Sequence, residues 1–162
     1  MKTDPVEAIL AQWQSARPDL DCSPMGIVGR VNRMARLFGP VLNKVFKAHE
    51  LSSVEFDILA TLRRSEDALT PTQLYQTLML SSGAMSTRID QLVKNGLLTR
   101  IASGEDRRSN RVALTEEGQS VVDAALNDHV ENLHRLTESL TKKEQTQLAG
   151  LLSKLLVATE GH

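Results

Sequence analysis

The segment from residue 81 to residue 111 contains a cluster of basic side chains that could bind an anionic partner. It holds six basic residues against three acidic ones, a net charge of +3, and because the whole chain has a net charge of −1, the remainder sums to −4. The basic residues are Arg88, Lys94, Arg100, Arg107, Arg108 and Arg111. Clustered cations of this kind attract phosphate groups, since the local patch rather than the total charge sets the attraction. The pattern therefore indicates a nucleic-acid partner for an otherwise acidic chain.

Other residues that could do chemistry do not form a recognisable site. Ser139 and Lys142 have a serine–lysine spacing, but they lie at a helix junction where Thr141 is expected to cap the next helix. His129 and His134 are five residues apart, which does not place two metal ligands on one helix face. No phosphate loop, dinucleotide fingerprint or nucleophile elbow occurs in the sequence. We therefore expect no enzyme activity, no metal site and no cofactor.

The single cysteine, Cys22, excludes a disulfide within the chain and suits a reducing compartment. Asp19 and Asp21 lie close to it and disfavour a reactive thiolate, although redox sensing through Cys22 stays open as an alternative. No stretch approaches the ~20 consecutive apolar residues that a membrane span requires. The first residues also lack the hydrophobic run of a signal peptide. We expect a cytoplasmic protein with no membrane partner.

The composition and the apolar spacing predict a mostly α-helical (α+β) chain. Leucine is abundant and only five residues are aromatic, which favours packed helices. Helical periodicity and capping signals predict helices over about 4–16, 25–48, 52–64, 70–79, 81–95, 116–140 and 141–159. Two short strand-like runs, 97–101 and 111–114, flank a polar turn and predict a β-hairpin. We treat residues 1–162 as a single domain.

The order of elements over residues 52–115 is that of a winged helix-turn-helix, with its wing at 97–114. A helix fits the major groove of DNA, and a basic ribbon tip reaches the adjacent minor groove. In the candidate recognition helix, Met85, Ile89 and Leu92 share one face, and a small polar face lies opposite. The predicted DNA-binding residues are Ser82, Gly83, Ser86, Thr87, Gln91 and Lys94 on the helix, and Arg107, Arg108 and Arg111 on the wing.

The helices over 25–48 and 116–159 carry longer apolar stripes than one small winged-helix body can cover. Packing of two copies about a two-fold axis would bury these stripes. It would also set two recognition helices about 34 Å apart, one turn of DNA. The sequence therefore predicts dimerisation helices and a homodimer on double-stranded DNA. A winged helix that binds protein instead is the rival interpretation, and the basic segment argues against it.

The run from Asp106 to Gly118 reads DRRSNRVALTEEG. It resembles the wing signature D-x-R-x-x-x-V-x-L-T-x-x-G of MarR-type transcriptional regulators. The segment from Ser81 to Leu97 is also similar to the recognition-helix region of that family, and the resemblance extends from about residue 25 to about residue 157. It implies a homodimer on a palindromic operator, which represses a neighbouring gene and is released by a small ligand.

The N-terminal segment of the chain resembles one particular branch of this family. Trp13, the run RPDLD at 17–21 and Arg30 are similar to the PecS-like, urate-responsive branch, which carries an extra N-terminal helix. That branch binds its ligand between a tryptophan, an aspartate and two arginines. The resemblance implies a small aromatic anion, such as urate, as the ligand, and implies Trp13, Asp57, Arg88 and Arg100 as the residues that bind it.

The sequence around these ligand-site residues also suggests roles for them without the resemblance. The helix around Asp57 is apolar on nearly every face, so we expect a partly buried carboxylate that needs a cationic partner. Arg88 flanks the apolar stripe of the recognition helix and can turn inward to pair with it. An anionic ligand would then repel Asp57 and shift the helix. Three simpler roles stay open: packing for Trp13, a helix-dipole contact for Asp57, and a phosphate contact for Arg100.

Overall fold

The computed structural model of the protein describes residues 3–65, 67–78, 82–101 and 111–161, without the side chains of residues 82 and 84. Over these residues the chain is mostly helical and has one two-stranded antiparallel sheet, which confirms the predicted fold class. The elements are α1 (Pro5–Ala16), α2 (Pro24–Ala48), α3 (Ser53–Arg64), α4 (Pro71–Leu78), α5 (Ser82–Lys94), β1 (Leu98–Ile101), β2 (Arg111–Leu114), α6 (Glu116–Thr137) and α7 (Lys142–Glu160).

The chain forms two compact units, Met1–Lys44 and Val45–His162. In the first unit, Asp4 caps α1 by accepting a hydrogen bond from the backbone N–H of Val6 at 2.8 Å. The same carboxylate accepts a hydrogen bond from Arg30 of α2 at 2.8 Å. The extra N-terminal helix therefore begins at the predicted cap, and one acidic side chain both starts it and ties it to α2.

In the second unit, α3 lies at the centre and packs against α4, α5, α6 and β2. Its first turn is closed by a capping box, in which Ser52 and Glu55 exchange hydrogen bonds. Its last turn is joined to α6, where Arg63 donates to Asp123 at 2.8 Å. The largest fully buried side chains around it are Ile58, Leu59, Leu74, Met85, Ile89, Leu92, Val112 and Val122. An aliphatic core thus fixes α5 and the hairpin relative to α3.

The hairpin has the predicted antiparallel pairing, with Leu98 of β1 opposite Leu114 of β2. A third segment, which the sequence did not reveal, pairs with it. Leu69, just before α4, accepts a hydrogen bond from the backbone N–H of Val112 at 2.8 Å. The base of the wing is therefore hydrogen-bonded to the segment that leads into the helix-turn-helix.

At the junction between α5, the hairpin and α6, the backbones of these elements lie in direct contact. Gly96 has φ +76°, the left-handed conformation expected where Asn95-Gly96 ends a helix. The Thr115 hydroxyl donates to the Gly96 carbonyl at 2.7 Å and accepts from the Gly118 N–H at 2.9 Å. A Cβ on Gly118 would lie 2.0 Å from the Leu97 carbonyl oxygen. The glycine that ends the wing signature is therefore required by backbone contact.

Candidate functional site

Helix α5 has one buried face and one exposed face. Met85, Ile89 and Leu92 are buried, as their spacing predicts, because the helix packs against α3, α4 and β1. The small and polar residues on the opposite side are exposed, and they are Gly83, Ser86, Thr87, Gln91 and Lys94. Ser82 is the first residue of the helix, and its side chain lies outside the described residues. The exposed face has the size and polarity of a surface that could contact base edges and phosphates.

The hairpin places two further cations next to this helix. Arg100 lies on β1 and Arg111 on β2, and both are exposed. Arg100 donates a hydrogen bond to Asp90 of α5. The predicted wing residues Arg107 and Arg108 lie outside the described residues. The structure therefore brings the helix and the base of the wing together in one unit, with cations exposed on both.

Arg88 turns away from the exposed face of α5 and towards α3. Its Nη1 lies 3.6 Å from Oε1 of Glu55, whose side chain is only 12% exposed. The other oxygen of that carboxylate accepts a hydrogen bond from the backbone N–H of Ser52 at 2.8 Å. Glu55 thus caps α3 and pairs with Arg88 at the same time. This pair links the central helix to α5.

The prediction that Arg88 pairs with Asp57 is therefore wrong. The acidic partner of Arg88 is Glu55. Asp57 follows Glu55 by two residues, so the two side chains point about 160° apart around α3. Asp57 is exposed over the residue as a whole, but its carboxylate is partly buried, as expected. Partial removal of water by its packed neighbours still raises its pKa, and the charges of Arg64 and His129 counter part of that rise. Asp57 belongs to a different face of α3 from the one that meets Arg88.

His129 of α6 lies against two aromatic rings instead of forming part of a metal site. Its ring centroid is 5.2 Å from that of Phe46 and 5.3 Å from that of Phe56. Burial lowers its pKa, and the nearby charge of Asp57 offsets part of that change. Among the described residues no three His, Cys, Asp or Glu side chains come together as a metal site, and no helix is long and apolar enough to cross a membrane.

Two candidate residues lie in the first unit. Trp13 on α1 remains 40% exposed, so packing within the chain does not account for its whole surface. Cys22, after α1, is buried, which restricts access of oxidants to its thiol. Its burial weakens the redox alternative, whereas the ligand role of Trp13 stays a prediction.

Comparison with known proteins connects this arrangement to a family. A family model described as the MarR family matches residues 49–109, which include α3, α4, α5 and β1. The chain is 38% identical to the HTH-type transcriptional regulator PecS of Dickeya dadantii over 152 residues, covering 93% of this chain and 92% of that protein. The chain belongs to the MarR family. Membership in this family of transcriptional regulators confirms the resemblance found in the sequence and the expectation that the chain is not an enzyme.

Solved structures of MarR-family proteins share the fold. A mutant of MarR from Escherichia coli, crystallised with operator DNA, is 25% identical, has a TM-score of 0.69, and covers 89% of this chain and 97% of its own. Another MarR-family regulator, 19% identical, has a TM-score of 0.79 and covers 91% of this chain and 95% of its own. The second comparison confirms the winged-helix architecture, and the first adds that a relative with this fold binds an operator.

Proposed function

We propose that this MarR-family protein is a repressor that binds double-stranded DNA through α5 and the hairpin. The observation that carries this proposal is the polar outer face of α5, exposed beside Arg100 and Arg111 while its apolar face is buried. A helix with such a face fits the major groove, and a neighbouring hairpin fits the minor groove. The operator complex of the Escherichia coli relative supports the same use of the fold.

A homodimer on a palindromic operator is the form that best suits the C-terminal helices. No residue of α7 is buried, although the helix carries an apolar stripe. Its exposed apolar residues are Leu148, Leu151, Leu152, Leu155, Leu156 and Val157. Apolar surface of this extent marks an interaction site. A second copy of the chain would bury the stripe and place two copies of α5 on one duplex.

Loss of single cations on the proposed DNA-facing surface should weaken binding in a salt-dependent way. We expect Lys94→Ala and Arg111→Ala each to reduce affinity for a selected duplex about tenfold and to lower the slope of log affinity against log salt by about 0.9. The reason is that each phosphate contact releases one condensed counterion. Fluorescence anisotropy over a series of salt concentrations measures both quantities.

Lys154→Ala on α7 is the matched control, because it removes one exposed cation outside α5 and the hairpin. It should leave the salt slope at the wild-type value. A wild-type protein that binds no duplex at low salt would contradict the DNA-binding proposal and favour the protein-binding interpretation. Equal slopes in all variants would show that α5 and the hairpin do not contact phosphate.

The proposed ligand is urate or a similar small aromatic anion, and its binding should release the operator. Arg88 offers a cation for such an anion, whereas Arg100 and Trp13 are ligand residues only by resemblance to the urate-responsive branch. In the absence of ligand, Arg88 pairs with Glu55. An anion that binds Arg88 would compete with Glu55 and repel its carboxylate, which would shift α5 relative to α3 and disturb DNA contact.

Glu55→Gln should separate this mechanism from the role first assigned to Asp57. Glutamine preserves the capping box but removes the charge that the ligand would repel. We expect the urate concentration for half-release of the operator to rise about tenfold, a change of about 1.4 kcal/mol. Mobility-shift titrations with urate measure this concentration.

Asp57→Asn is the comparison variant, since it removes the same charge from another face of α3. If Glu55 is the responding group, Asp57→Asn should keep the wild-type urate response. The reverse result would restore the assignment of Asp57. Normal responses in both variants would exclude repulsion by an α3 carboxylate as the cause of release.

A further inference from the structure

One acidic side chain lies on the side of α5 that is proposed to face DNA. Asp90 is 65% exposed. On an α-helix it falls about 20° from Gly83 and about 40° from Lys94, both of which lie opposite the buried stripe. A carboxylate at this place repels the phosphates of a duplex, so it opposes binding unless a cation neutralises it.

The cation that meets Asp90 comes from the wing. Arg100 of β1, 35% exposed, donates from Nη2 to Oδ1 of Asp90. In the sheet, Arg100 is paired with Val112 of β2, and Val112 also pairs with Leu69 before α4. The Asp90–Arg100 pair therefore connects the proposed recognition helix to a hairpin whose other side is already held by backbone hydrogen bonds.

We infer that Asp90 is a positioning residue for DNA binding, which holds β1 against α5 through Arg100. This inference rests on the proposed DNA binding. An exposed ion pair adds little to global stability, but it fixes the relative position of two elements that must enter neighbouring grooves. A surface fixed before binding loses less conformational freedom when the complex forms.

The DNA affinity of Asp90→Asn should change in opposite directions if Asp90 positions the wing and if it only repels phosphate. If Asp90 only repels phosphate, removing its charge tightens binding. If it positions the wing, affinity for a duplex selected from a random pool by the wild-type protein falls about tenfold, while the midpoint of thermal unfolding moves by no more than about 4 °C. Asp90→Glu keeps the charge and should restore most of the lost affinity.

Asp123→Asn is the matched control. It removes an aspartate of the same charge from another exposed pair, in which Arg63 donates to Asp123 at 2.8 Å between α3 and α6. Its affinity for the duplex should stay within about twofold of wild type. Wild-type or tighter binding by Asp90→Asn, or an equal loss in Asp123→Asn, would overturn the positioning role.

Hydrogen exchange without DNA tests the same tie independently. The backbone amides of Thr99–Ile101 should exchange about fivefold faster in Asp90→Asn than in wild type, because β1 opens more often. Unchanged exchange would overturn the inference even in a chain that binds DNA. Faster amide exchange in Asp90→Asn, together with no duplex binding by the wild-type protein, would instead support the link between Asp90 and β1 and reject the proposed function. Arg100→Gln breaks the pair from its other end should Asp90→Asn fail to fold.

Discussion

Replacing Leu151 and Leu155 together by glutamine should convert the proposed dimer to a monomer and weaken operator binding about 100-fold. Both leucines lie on the apolar stripe of α7, where they are 60% and 48% exposed in the single chain. Glutamine keeps the helix propensity and adds no charge, so direct electrostatic effects on DNA are avoided. The loss in affinity follows because a monomer can occupy only one half-site. Sedimentation equilibrium and mobility-shift titration measure the two effects.

Ser153→Gln is the control for this double variant, because Ser153 lies on α7 away from the leucine stripe. It should remain dimeric and bind the operator normally. A double variant that sediments as a dimer with wild-type affinity would show that α7 does not form the interface. A wild-type protein that sediments as a monomer would reject the dimer itself.

Gly118→Ala should lower the free energy of unfolding by about 3 kcal/mol. The added Cβ would lie 2.0 Å from the carbonyl oxygen and 2.9 Å from the carbonyl carbon of Leu97. These are backbone atoms, and the same oxygen accepts a hydrogen bond from the Thr115 N–H at 3.1 Å. Relief of the clash would therefore displace the start of the hairpin or of α6. Chemical denaturation followed by circular dichroism measures the loss.

Gly150→Ala in α7 is the control, because it measures the effect of a glycine-to-alanine change on helix stability where there is no clash. No atom outside its own helix backbone lies within 4 Å of a Cβ built on Gly150. Alanine there should leave stability unchanged or raise it by up to about 1 kcal/mol through helix propensity. An unfolding midpoint for Gly118→Ala equal to that of wild type would mean that the junction adjusts without cost.

Several local features followed from the sequence because each depends on residues only a few positions apart. The spacing of Met85, Ile89 and Leu92 predicted the buried face of α5, and the structure buries all three. Asn95-Gly96 predicted a left-handed helix end, and Gly96 adopts it. The recognition-helix face and the hairpin pairing could therefore be derived before any tertiary contact was known.

The choice of the acidic partner for Arg88 could not be derived in the same way. Asp57 stood out in the sequence because its helix is apolar on nearly every side. Ser52 and Glu55 have the S-x-x-E spacing of a capping box, which by itself does not indicate a second partner for Glu55. Only the packing of α5 across the first turn of α3 shows that the capping carboxylate also meets Arg88.

The sequence by itself determined the helices, their caps, the hairpin, the basic segment and the family to which the chain belongs. These properties depend on periodicity, on short hydrogen-bonding motifs and on the order of residues along the chain. The tertiary structure decided which charged groups meet, pairing Arg88 with Glu55 and Arg100 with Asp90. The physical reason is that an ion pair between two elements depends on how those elements pack and rotate, which local spacing does not specify.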